Sequence, residues 1–259
     1  MAYAGGIPFG MFALPTSELG TRYNGLWRNI DPSKLVSELA AIKSHGGKVV
    51  LMFAGNEKYY KDGSGHFSLS KWQARVDRFR NVNFMSYVKD GTIIGHYLID
   101  EPNDPRNWGG RPVSPATIEQ MAKFSKSRWP GFATVVRTSP SYLRNYSGSY
   151  HYLDAAWAQY LISRWPDPKA FIAKAVSDAK AKGLALITGL NVVDGGSKAQ
   201  TQMTPTQVRT YGSALLTNTY PCAFISWQYR SSNQTSAMKD AMSVLRKAAQ
   251  SRTYHACHT

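Results

Sequence analysis

Four helix starts written in the same chemistry constrain this chain more than any other feature. Asp31-Pro32, Ser114-Pro115, Asp167-Pro168 and Thr204-Pro205 each pair a capping residue with a proline at the first helical position. The cap oxygen satisfies an orphan N–H of the first turn, and the proline has no N–H to satisfy and a helical φ already set. Three of these helices have legible ends, at His45-Gly46-Gly47, Trp129-Pro130-Gly131 and Lys182-Gly183. Each is followed by a short apolar run. A unit of strand, loop and helix, repeated, is expected.

Seven strand-like runs are visible: Ile7–Leu14, Lys48–Ala54, Thr92–Ile99, Ala133–Arg137, Leu153–Ala158, Ala185–Leu190 and Ala223–Trp227. Most lack a clean polar alternation, as strands of a parallel sheet buried on both faces should. Trp72–Asp90 opens as a helix, and its second half, Val82–Val88, reads either as the missing eighth strand or as a second helix. Trp27 and Trp72 fall in or beside outer segments and read as structural. The fold expected is a single-domain α/β chain over 1–259, a (β/α)8 TIM barrel with room for one degenerate strand. A doubly wound sheet is the competitor, but Gly10-Met11-Phe12-Ala13 is no phosphate loop.

With 43% hydrophobic and 18% charged residues, the composition is that of a globular chain. No apolar run reaches the roughly 18–20 residues of a membrane span. The 31 Lys+Arg against 16 Asp+Glu leave a formal charge of +15, which attracts polyanions. The basic residues are scattered without a nucleic-acid motif, so an acidic polysaccharide is a better expectation than nucleic acid. Cys222 precedes the last strand and Cys257 follows the last helix, so a barrel brings both to its floor, as a disulfide or as two buried thiols. A bridge would indicate an oxidising compartment. Met1-Ala2-Tyr3-Ala4 has no basic or apolar leader character, and a mature end of a secreted or periplasmic monomer is expected. The tail His255-Ala256-Cys257-His258 reads as frayed.

In α/β barrels chemistry sits on the loops after the strands. Of the five glutamates only Glu57 and Glu101 closely follow strands, and of the aspartates only Asp100 and Asp194 stand at reactive ends. Glu101 closes the run Ile93–Asp100 ahead of Pro102. A carboxyl there can be pushed up by desolvation and donate a proton near neutral pH. Because strand neighbours alternate faces, Asp100 should not point with it, and should instead fix a loop or an arginine. Arg137, with Arg106 and Arg111 in the loop after Glu101, could take a substrate carboxylate or sulfate, or Arg137 could pair internally with Asp100 or Glu101; both remain open. His96 reads as an interior, hydrogen-bonded residue.

Strand–Asp-Glu-Pro at a barrel rim resembles the TIM-barrel glycoside hydrolases, many of which carry Asn-Glu-Pro there with the glutamate as acid/base. The resemblance implies hydrolysis of a polysaccharide or oligosaccharide, acidic ones included, with Glu101 as general acid and no cofactor or metal. It also implies sugar subsites at the other strand ends: Trp157, Gln159 and Tyr160, then Asn191, then Trp227, Gln228 and Tyr229. Two departures stand out. Asp100 replaces the family's asparagine, and no glutamate follows Glu119, so the second carboxyl must be Asp194, Glu57 or Asp100. A polysaccharide lyase using Arg137 and tyrosines such as Tyr160 on a uronate, and a sugar-binding barrel without catalysis, are the alternatives.

Overall fold

The computed structural model describes residues 5–20, 22–197 and 199–258. Residues 1–4, which carry the reading of a mature end, lie outside them. Eight parallel strands close on themselves in chain order: β1 (Phe9–Phe12), β2 (Gly25–Asn29), β3 (Lys48–Met52), β4 (Ile93–Asp100), β5 (Thr134–Arg137), β6 (Ala155–Tyr160), β7 (Ala185–Leu190) and β8 (Ala223–Ser226). Between and after them run α1 (Leu35–Ser44), α2 (Leu69–Asp77), α3 (Met85–Lys89), α4 (Pro115–Arg128), α5 (Pro140–Leu143), α6 (Pro168–Lys180), α7 (Pro205–Leu216) and α8 (Ser236–Gln250). The chain is a (β/α)8 TIM barrel.

The helix starts work as their sequence implies. Ser114 accepts from Thr117 N–H at 3.1 Å, Asp167 from Lys169 N–H at 2.8 Å, and Thr204 forms a reciprocal capping box with Gln207. Asp31 makes no side-chain cap bond and precedes a 3-10 turn, Pro32–Lys34, that leads into α1.

The eighth strand is β2, and Val82–Val88 contributes to helix α3 instead. Gly25-Leu26-Trp27-Arg28-Asn29 escaped the apolar search because its only aliphatic residue is Leu26. Its alternation is real: Leu26 joins the outer core, while Trp27 points into the lumen. The expectation for Trp27 is thereby corrected, whereas Trp72 is structural, its Nε1–H donating to Leu98 O at 2.8 Å.

Apolar side chains pack in two shells. One fills the space between barrel and helices; the other fills the lumen with Trp27, Val50, Tyr97, Val135, Trp157 and Ile225 among others. The barrel closes tightly where Gly10 pairs with Gly25: a Cβ on Gly10 would stand 1.5 Å from Gly25 O. At the floor, Cys222 and Cys257 form a disulfide with their Cα atoms 5.3 Å apart. The tail is therefore not frayed. Cys257 is buried, His255 Nε2 lies 2.8 Å from Tyr220 O, and Arg252 donates to Thr219 O and Pro221 O. No helix among the described residues is long and apolar enough to cross a membrane.

Candidate active site

The mouth is organised by an irregularity in β4. Its register against β5 shifts between Tyr97 and Asp100, and Leu98 and Ile99 both pack into the outer core. Asp100 thus returns to the inner side with Tyr97, whose hydroxyl donates to Asp100 Oδ1 at 2.9 Å. Register then pairs Asp100 with Arg137, the last residue of β5. Arg137 Nε donates to Asp100 Oδ1, Nη1 donates to Gln159 Oε1 at 2.5 Å, and Nη2 lies 3.4 Å from Glu101 Oε1. Burial disfavours the guanidinium's charge, but Asp100 and then Tyr97 and Glu101 outweigh it and hold Arg137 above its ordinary value. Arg137 is thus paired internally, with both carboxylates. The alternation rule failed for Asp100 and Glu101 because strand geometry ends between them.

Glu101 has φ +37°, in the left-handed region that L side chains rarely adopt. Three hydrogen bonds to its backbone groups hold it there. Its N–H donates to Arg137 O, and its carbonyl accepts from Asp104 N–H and Trp108 Nε1–H, all at 3.0 Å. Such conformations cost about 1–3 kcal/mol and persist where the surroundings over-determine them. The turn leaves the Glu101 side chain 40% exposed, whereas Arg137 is 10% exposed. Trp108 is fully buried, so it positions Glu101 from below.

Glu57 begins a 3-10 turn (Glu57–Tyr60) after β3 and is half-buried. Desolvation raises its carboxyl above the ordinary glutamate range, the bond to Lys61 Nζ at 3.1 Å opposes this, and Asp100 and Glu101 push it further up. The β3 loop and the end of β4 thus place Glu57 and Asp100 along one cleft, with Asp100 and Glu101 joined through Arg137 and Glu57 paired with Lys61.

Two clefts flank these residues. One is lined by Glu101, Arg137, Trp157, Gln159, Arg164 and Asn191, among others. The other is lined by Phe12, Trp27, Asn29, Met52, Glu57 and Asp100 together with Gly55 and Asn56. Aromatic rings join them. Phe12 stacks on Trp227 at 4.6 Å, Trp27 contacts Tyr97 at 4.4 Å and meets Trp157 edge-on, and the Arg137 guanidinium lies 5.4 Å from the Trp227 centroid.

The anticipated residues divide. Glu57, Asp100, Glu101, Arg137, Trp157, Gln159 and Asn191 line the clefts. Trp227 joins them through its stack and pairs with Asn191 as an isolated bridge. Asp194 is exposed on a turn, its N–H bonded to Asn191 Oδ1 at 2.9 Å; Asn191 is the cleft residue of that loop. Tyr160 points outward: its ring packs against Phe171 and Tyr211, and its hydroxyl donates to Trp165 O at 2.7 Å. Tyr229 donates to Glu18 Oε1 at 3.1 Å. Gln228 follows Trp227 through a cis peptide bond and is half-buried. Sequence reasoning missed Phe12, Asn29, Asn103 and Arg164. Asn29 ends the overlooked β2, and Arg164 stands in a post-strand loop, so strand ends were the usable signal for both. His96 is interior as expected, its Nδ1 2.7 Å from Ser125 Oγ. Among the described residues no group of His, Cys, Asp or Glu side chains could hold a metal ion.

No family model matches the sequence, and no curated protein matches it. Solved structures do. The catalytic domain of the Bacillus sp. JAMB-750 GH26 endo-β-1,4-mannanase is 12% identical, with a TM-score of 0.62 over 95% of this chain and 86% of that one. Native xylanase 10B from Thermotoga maritima is 11% identical, with a TM-score of 0.61 over 97% and 98%. A GH18 chitinase from Pseudoalteromonas aurantia is 14% identical, with a TM-score of 0.57 over 93% and 99%. The protein thus shares the TIM-barrel fold of glycoside hydrolases. A D-psicose 3-epimerase with a TM-score of 0.53 has the same fold, so chemistry must be argued from the site.

Proposed function

We propose that this protein hydrolyses glycosidic bonds in a polysaccharide or oligosaccharide, with Glu101 and Glu57 as its carboxyl pair. The observation that supports this most is the convergence of Glu57, Asp100 and Glu101 on the strand-C-terminal mouth, between two clefts floored by aromatic rings. Aromatic faces stack on the apolar faces of sugars, and paired carboxyls supply the proton and the countercharge that glycosidic cleavage requires. Of the candidate partners for Glu101, Glu57 lines a cleft with Asp100, while Asp194 stands exposed on its turn.

The resemblance of Asp100-Glu101-Pro102 to the family motif assigns proton donation to Glu101. Burial raises the Glu57 carboxyl above the ordinary glutamate range, which makes it a second candidate for the donor, and the two roles are separable by experiment. Reducing-end release from neutral and acidic polysaccharides should fall at least about 100-fold in Glu101→Gln and in Glu57→Gln, the usual worth of general acid catalysis being ~10²–10⁴. An activated aryl glycoside, whose leaving group needs no proton, should be cleaved well by the variant of the donor and poorly by that of its partner. Full activity in both variants would remove the pair from the reaction.

The lyase reading loses Tyr160 as a proton shuttle, since its hydroxyl is committed to Trp165 O on the outer side of the barrel. A binding barrel without catalysis draws on the ion pair already formed between Glu101 and Arg137. It predicts retarded migration in polysaccharide-containing gels with no product at any pH. The disulfide supports a secreted or periplasmic location.

A further inference from the structure

We propose that Arg164 and Trp165, in the loop between β6 and α6, form a subsite for a sugar unit carrying an exocyclic anion, a carboxylate or a sulfate. This inference rests on the carbohydrate reading of the site. Arg137, the arginine at the centre of the mouth, has all three nitrogens engaged by Asp100, Gln159 and Glu101. Among the described residues, the cation beside Glu101 that is left without an ion pair is Arg164, which lines the cleft of Glu101 and Arg137 and a second hollow shared with Asn103 and Asp104. Its neighbour Asp104 is already held by Arg106, whose Nη2 donates to Oδ2 at 2.6 Å.

Trp165 supplies an apolar face. It is 36% exposed, lines the same cleft and rests edge-on against Phe171 at 5.7 Å. The loop that carries the pair is fixed before any ligand arrives. Tyr160 Oη holds the Trp165 carbonyl, Arg164 and Trp165 N–H both donate to Leu161 O, and Ile162 N–H donates to Gly195 O at 2.8 Å. A planar guanidinium next to an indole matches a uronate or a sulfated sugar. Its fork takes the anion in a bidentate contact and the ring stacks on the sugar. The backbone of the loop therefore needs no ordering on binding. The formal charge of +15 raises the local concentration of such polymers around the mouth.

The test compares wild type, Arg164→Gln, Arg164→Lys and Arg209→Gln. Arg209, exposed on α7, removes the same charge elsewhere. Affinity gels cast with polygalacturonate, its methyl ester or a sulfated galactan read binding, and reducing-end release reads cleavage. Loss of a charge-assisted contact should weaken binding of one acidic polymer by about tenfold or more in Arg164→Gln. Arg164→Lys should fall between, and Arg209→Gln should change binding less than about twofold. The methyl ester should bind all four proteins alike, and the acidic polymer that responds identifies the anion. Equal effects of Arg164→Gln and Arg209→Gln would reduce the attraction to net charge and overturn the subsite. Binding or cleavage of neutral polymers alone would overturn it while leaving the carbohydrate reading intact. No binding or cleavage of any polymer would overturn both.

Discussion

At the residue scale the site depends on Arg137, which neutralises two carboxylates at once. Arg137→Met keeps much of the volume but leaves Asp100, 20% exposed, without its countercharge. Breaking a buried pair from one side costs about 3–5 kcal/mol, and a urea titration should show a loss of that order. A loss under about 1 kcal/mol would mean that solvent already screens the cluster. His96 offers a pH test independent of the mouth. Burial lowers its imidazole from 6.5 to about 3. Its stabilising contribution is complete above 6.5 and drains away as pH falls towards 3, because the unfolded chain takes up the proton first. The slope is at most roughly 1.4 kcal/mol per pH unit. His96→Asn, which cannot take that proton, should flatten stability between pH 6.5 and 4 relative to wild type, and parallel curves would assign the acid sensitivity elsewhere. The carboxyls of the site were legible in the sequence as residues at strand ends. Their shared orientation was not, because it comes from the register shift in β4 and the left-handed backbone at Glu101.

At the element scale, helices were easier to read than strands. Caps at Ser114, Asp167 and Thr204 are local chemistry, complete within four residues. Strand β2 has no such signature; it exists because Gly25 to Asn29 pair with β1 and β3 on either side. Two glycines separate close packing from backbone conformation. Gly10→Ala would drive a methyl into Gly25 O at 1.5 Å, forcing β1 from β2, and should cost more than about 3 kcal/mol by denaturant unfolding. Gly46→Ala, at φ +67° with open space around it, should cost only about 1 kcal/mol. Similar losses at the two positions would contradict the tight closure of the barrel at Gly10.

For the whole molecule, the bridge between Cys222 and Cys257 closes a loop with a sequence separation of 35 and ties the tail to the floor. The chain-entropy relation gives about 4 kcal/mol for a loop of that length. Replacing both cysteines with serine should lower the calorimetric Tm by about 10 °C, and an unchanged Tm would mean that the Arg252 and His255 contacts alone secure the tail. The sequence by itself determined the βα repeat, the barrel class, the floor at which the cysteines could meet and the strand ends at which chemistry could sit. All of these follow from apolar runs, caps and chain order, which are local or nearly so. Only the tertiary structure decided that Trp27 faces the lumen, that Arg137 is shared by Asp100 and Glu101, that Tyr160 turns outward to anchor a loop, and that Arg164 is left beside Glu101. Each of those depends on register between strands distant in sequence, and one shifted pairing changes which face a side chain takes.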